Sequence, residues 1–192
     1  MMLTRLTKPF ARLLLAAGVV AGASGCAATG RPGEASSYLI VDSLTTASGA
    51  STLSSDVLSE GAILEDAVRA TFRVEMKDPN AVGPSAVNSI TLRGYRVTFT
   101  RADGRNTQGL DVPYAFDGAM TATVSGSVTA TIVLVRAQAK LEAPLRALVG
   151  GGGAVAISTF ADVLFYGADQ TGRDVTVTAR ISVTFADWGD EG

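Results

Sequence analysis

From Tyr38 to the end of the chain, apolar and polar residues mostly alternate with a period of two. Phe72, Val74 and Met76 are separated by Arg73 and Glu75. Met120, Ala122 and Val124 are separated by Thr121 and Thr123. The longest run sets Val175, Val177, Ala179, Ile181, Val183 and Phe185 against Thr176, Thr178, Arg180, Ser182 and Thr184. Alternation rich in Val, Ile, Thr and Phe predicts strands with one buried and one wet face. Tyr38–Leu44 reads as a first strand and Thr52–Leu58 as a short edge piece. Val155–Tyr166 is apolar on both parities, which predicts a central strand. In Ile90–Arg101, Ile90 and Leu92 fall on one parity and Tyr95, Val97 and Phe99 on the other. A β-bulge at Gly94 would return all five to the core.

Turn residues divide these runs. Asp78-Pro79-Asn80, Gly83-Pro84 and Ala102-Asp103-Gly104 end strands, and Asp169–Asp174 links the last two. Ser125-Gly126-Ser127 is expected to turn a hairpin between Met120–Val124 and Val128–Val135. Crossover helices are nearly absent, so antiparallel sheets are expected. The one helical stretch is Ala143–Val149, with Pro144 in its first turn and Gly150–Gly153 stopping it. The expected fold is therefore all-β: an antiparallel sandwich of about seven strands, with one short helix before the last two.

The beginning of the chain follows a different pattern. Residues 1–25 carry Arg5, Lys8 and Arg12 and no acid, and Leu13–Gly22 is apolar or small. A basic start, an apolar core of about ten residues and small residues before a cut describe an export signal. The run is too short to span a bilayer, which takes roughly 20 residues. Residues 27–37 are rich in Gly, Ala and Ser and have no apolar period, which predicts a tether. The division is 1–25 signal peptide, 26–37 tether, and 38–192 a single β domain.

Composition narrows the chemistry. The 192 residues include no His and one Cys. Ser-His-Asp and Cys-His catalysis, His-ligated metal and an intrachain disulfide are all excluded. Removing three of the 16 basic residues with the signal leaves 13 against 18 acidic ones, a net charge of −5. The basic residues are scattered, so no nucleic-acid surface is expected.

Two resemblances follow from these residues. Ala23-Ser24-Gly25-Cys26 resembles the lipobox of bacterial lipoproteins, with Ala23 where that family most often has Leu. The resemblance implies that Cys26 is the lipidation site and becomes the mature amino terminus. Ala27 after it, rather than Asp, implies the outer membrane. Ordinary cleavage around Ala21–Ala23 with a free Cys26 is the alternative. Ile90–Phe99 followed by Asp103-Gly104 looks like the third strand of fibronectin type III domains. Val163–Gly172 with the strand after it looks like the closing hairpin of immunoglobulin-like sandwiches. The Trp-and-disulfide core of antibody domains is absent, since the only Trp is Trp188.

Other candidates have ordinary readings. Asp169 and Asp174 around Gly172 suit a calcium loop or a plain turn. Asp162 is a functional carboxylate or an arginine's partner. Trp188 caps the sandwich or contacts a ligand. Tyr114 and Phe116 are the best residues for a carbohydrate platform. The expectation is a non-enzymatic binding or structural module. It has no cofactor or metal, is held to the membrane by lipid, and partners envelope proteins. The alternative is a carbohydrate- or calcium-dependent adhesion domain.

Overall fold

The computed structural model describes residues 35–188. The signal peptide, Cys26 and most of the tether lie outside the described residues. Eight strands form two sheets: β1 (Ser37–Thr45), β2 (Thr52–Asp56), β3 (Asp66–Met76), β4 (Ile90–Thr100), β5 (Phe116–Val124), β6 (Ser127–Val135), β7 (Ile157–Asp169) and β8 (Asp174–Ala186). One sheet has the order β1-β3-β6 and the other β2-β8-β7-β4-β5. The fold is thus the expected all-β sandwich. Its eighth strand is β2, the short edge piece.

The period-two pattern explains the core. Val68, Ala70, Phe72 and Val74 of β3 are buried on one parity, facing Val163 and Phe165 of β7 and Ile181, Val183 and Phe185 of β8. The rings of Phe72 and Phe165 meet edge-on across the sheets at 4.8 Å, an arrangement that adds to the area term. β7 is the middle strand of its sheet, as its apolar character predicts.

The bulge in β4 is present. The register shifts between Leu92 and Gly94 against both neighbouring strands. All five predicted side chains, Ile90, Leu92, Tyr95, Val97 and Phe99, are buried. Gly167 sits opposite the shift, where a Cβ would come within 2.2 Å of the Thr91 carbonyl. The bulge crowds its neighbour, and only a glycine fits there.

Three expectations need correction. Ser125-Gly126-Ser127 does not close a hairpin. β5 pairs with β4 and β6 with β3, so the turn carries the chain from one sheet to the other. The pairing is not wholly antiparallel, because β2 runs parallel to β8. No crossover helix is needed, since five strands separate the two in sequence. The helical stretch expected at Ala143–Val149 is a 3-10 turn, Leu145–Leu148, after Pro144, and a separate helical turn outside that stretch, α1 (Ala137–Lys140), precedes it.

The strands define two ends. At one, where the expected tether would join, Ser37 Oγ donates to the Asn88 carbonyl and Asn88 Nδ2 to Ser36 Oγ, fixing the start of β1. The β3–β4, β5–β6 and β7–β8 connections share that end. The opposite end holds the β2–β3 and β4–β5 loops, the 136–156 segment and Trp188. Among the described residues no helix is long and apolar enough to cross a membrane.

Candidate binding cleft at the end opposite the tether

The end remote from the tether is built on a buried cation. Lys140, 2 % exposed, reaches from α1 across the mouth of the sandwich. Its Nζ donates to the Asp56 carbonyl at 2.6 Å and lies 2.9 Å from Asp66 Oδ2. Ser55 Oγ donates to the same carboxylate oxygen at 2.6 Å. One ammonium thus ties together the end of β2, the start of β3 and α1. Burying an ammonium is costly unless it is paired and hydrogen-bonded, and here it is both. Leu145 and Leu148 of the 3-10 turn, with Val57 and Val112, are also buried at this end.

Above this floor lies an open cleft of about 750 Å³ lined by Gly109, Tyr114, Leu141, Glu142, Ala143, Arg146 and Ala147. Hydrogen bonds within its loop stiffen one wall. Thr107 O accepts from the N–H groups of Leu110, Asp111 and Val112, and Asp111 Oδ2 accepts from the Thr107 N–H. Gln108 Oε1 accepts from the Ala115 N–H. Gly109 has φ +76°, and the Tyr114 ring lies against it so closely that a Cβ would stand 2.2 Å from the hydroxyl. Glycine therefore serves both the backbone turn and the seat of the tyrosine.

The cleft end gathers apolar surface. Leu64, Leu110, Tyr114, Leu141, Val149, Val155 and Trp188 are exposed there, against Tyr38, Val82 and Val87 at the opposite end. Apolar residues scattered singly need no explanation, but a concentration at one end marks a contact surface. Charged residues of the β4–β5 loop form an ion-paired group at this end. Arg101 and Arg105 both hold the Asp103 carboxylate. The Arg101 hydrogen bond is the main reason that carboxyl lies well below the usual carboxylate range.

The sequence candidates separate. Tyr114 is half exposed in the cleft, whereas Phe116 is buried under the Arg136 guanidinium at 4.5 Å and beside Tyr95. The two rings therefore do not make a shared platform. Asp162 lies on the wet face of β7 with both oxygens on Arg180, at 2.7 and 3.0 Å. Trp188 is exposed, its ring lies over Gly153, and its backbone N–H donates to Asp56 Oδ1, so it covers part of the mouth. Asp169 belongs to a turn: its Oδ1 accepts from the Thr171 N–H, the Thr171 hydroxyl and the Arg173 N–H. Burial pushes this carboxyl up, but the hydrogen bonds outweigh it and hold it below its ordinary value. Asp174 is exposed. Among the described residues no three Asp, Glu or Cys side chains stand close enough to hold a metal ion.

Sequence reasoning missed Lys140, Leu141 and Arg146 as parts of this end. Leu141 and Leu145 carried a four-residue spacing that read only as helix packing. No known protein-family model matches the chain, and no curated protein matches it significantly.

Proposed function

We propose that the chain is a lipid-anchored module of the bacterial cell envelope that works by contact rather than by catalysis. Cys26 is the lipid attachment site, the residues between it and Ala35, where the sandwich begins, are the tether, and the sandwich presents its far end to an envelope protein. The strand order β1-β3-β6 against β8-β7-β4-β5 supports a likeness to immunoglobulin and fibronectin type III sandwiches. The observation that carries the reading is polarity. The start of β1 lies at one end, and the cleft lined by Tyr114, Leu141, Glu142 and Arg146, with exposed Leu110 next to its Gly109 in the chain, lies at the other. A domain held by two or more acyl chains stays at its membrane, and the end farthest from the anchor is the one free to meet a partner.

The anchor is tested by palmitate labelling and membrane fractionation. Cys26→Ser should lose the label and move to the soluble fraction, and a wild-type chain that never takes label overturns the anchor. The contact end is tested with a photo-crosslinking residue at position 114 and another at Thr178 on the wet face of β8. A discrete envelope-protein adduct from position 114 alone is expected. Equal yields from both positions overturn the assignment.

A further inference from the structure

The two long flanks of the sandwich are protected very differently. On one flank lie β1, the five-residue β2 and the first half of β8. Charges line it: Asp42 is bridged to Arg73 at 2.7 Å, Lys77 stands over the Tyr38 ring, and Asp174 is exposed. Short edge strands and charges are the usual means of keeping a sheet edge from pairing. On the other flank, β5 and β6 have no further strand beside them among the described residues. From Gly118 to Val135 the chain has no Asp, Glu, Lys, Arg or Pro.

The two bare edges are not equivalent. β5 is irregular between Ala119 and Ala122, where the register shifts. β6 runs in unbroken register against β3 from Val133 to Ser127. Its outward backbone groups can be identified from Tyr95. The Tyr95 hydroxyl donates to the Val133 carbonyl and accepts from the Val133 N–H, each at 3.1 Å. Both groups of Val133 therefore point away from β3. Antiparallel alternation then turns the N–H and C=O of Thr131, Thr129 and Ser127 outward as well. Tyr95 closes the top of the edge and leaves the rest bare.

The geometry points to a second copy of this chain as the occupant, paired antiparallel through β6 about a two-fold axis at Ala130. Val128-Thr129-Ala130-Thr131-Ile132 has the same residue classes read in either direction. An isologous contact sets each residue against its symmetry mate. Here Thr131 would meet the partner's Thr129, Ala130 its own copy, and Val128 the partner's Ile132. The fold already uses this threonine pairing, since Thr71 and Thr129, and Thr91 and Thr123, touch through their hydroxyls at 3.0 Å. A two-fold axis also brings every charge near its like, and this flank carries none between Gly118 and Val135. Val128 and Ala130, with Met120 and Ala122 of the adjoining β5, face inward but are only partly buried. Pairing would cover them. The two copies would run in opposite directions, so the dimer would lie along the membrane with a tether at each end, and each cleft would open beside the partner's tether end rather than away from the membrane.

The full chain is used for the test. In a Cys26→Ser background, Ala130→Cys should give a covalent dimer on mild oxidation, and Arg69→Cys on the exposed face of β3 should not. Sedimentation of the Cys26→Ser chain should show twice the chain mass at micromolar concentration. Thr131→Pro removes an outward N–H and no bond to β3, so it should return one chain mass with the strand circular dichroism unchanged. If that variant fails to fold, Thr131→Lys reads the same edge through like-charge contact. One chain mass at every soluble concentration overturns the pairing. So does a dimer that survives both Thr131 variants, or one that Arg69→Cys crosslinks equally well.

Discussion

Lys140 at the cleft end and Asp169 at the tether end are the two charged side chains that the described core almost covers, at 2 % and 5 % exposure. Lys140 draws on distant chain. Its carbonyl acceptor, Asp56, is 84 residues earlier, and its counter-ion, Asp66, opens a different strand. Asp169 draws its hydrogen bonds from the turn that follows it: Thr171 and Arg173 donate to Oδ1, while the buried Oδ2 has no hydrogen-bond partner among the described residues. A group held by distant partners exists only once the tertiary structure has closed. A group held by its neighbours belongs to a local unit. The cleft end should therefore fail cooperatively with the whole domain, and the tether end should tolerate damage.

The largest effect expected from breaking this contrast is at Lys140. Lys140→Ala leaves the Asp66 carboxylate and the Asp56 carbonyl without their cation, and should cost about 3–5 kcal/mol. Lys140→Met keeps the volume and should cost less. Adding Asp66→Asn to Lys140→Met should recover part of the loss, because the remaining charge is then gone. Urea unfolding of wild type, Lys140→Met, Asp66→Asn and the double variant reads this directly. Losses from Lys140→Met and Asp66→Asn that add up in the double variant would mean that the pair is not coupled.

Asp169 should matter less and should depend on pH. Asp169→Ala removes three accepted hydrogen bonds within one turn and should cost about 1–3 kcal/mol. The folded carboxyl titrates below its unfolded value. Its contribution is therefore complete above the unfolded pKa of about 3.9 and disappears as pH falls through the lower folded value. Wild-type stability should decline across that acid range, and Asp169→Asn should flatten the decline. Equal slopes for the two proteins would remove Asp169 from the acid transition.

The same contrast separates what the sequence makes legible from what it does not. The turn at Asp169 is visible because Asp, Thr, Gly and Arg fall within five consecutive residues. The bulge at Gly94 is visible because a parity break in one strand has one economical repair. Lys140 sits in Ala-Gln-Ala-Lys-Leu, which reads as a solvated helical turn, and only the arrival of β2 and the start of β3 makes it interior. The expected hairpin between β5 and β6 fails for a related reason. Alternation says which side chains face the core, but two facing sheets present the same alternation. Nothing local distinguishes a turn within a sheet from a step between sheets. Tyr114 was found as a surface aromatic, whereas its wall partners Leu141 and Arg146 come from a segment 27 and 32 positions later.

Gly109 gives the smallest effect on stability and the finest test of the cleft end. Its φ of +76° disfavours any L side chain, so Gly109→Ala should cost about 1 kcal/mol. The added Cβ would also meet the Tyr114 hydroxyl, the far end of a side chain that can swing aside. The fold should survive while the tyrosine leaves its place. Gly109→Asn separates these two consequences. Asparagine tolerates positive φ better than alanine, so most of the stability should return, but its Cβ displaces Tyr114 just as far. If Tyr114 is the contact that the cleft presents, both variants should lose the crosslinked partner, and only the alanine variant should unfold at measurably lower urea. A Gly109→Asn chain that retains both stability and the adduct would show that the seat of Tyr114 is incidental. The contact would then rest with Leu110 and Leu141, and the rigid loop would serve the fold alone.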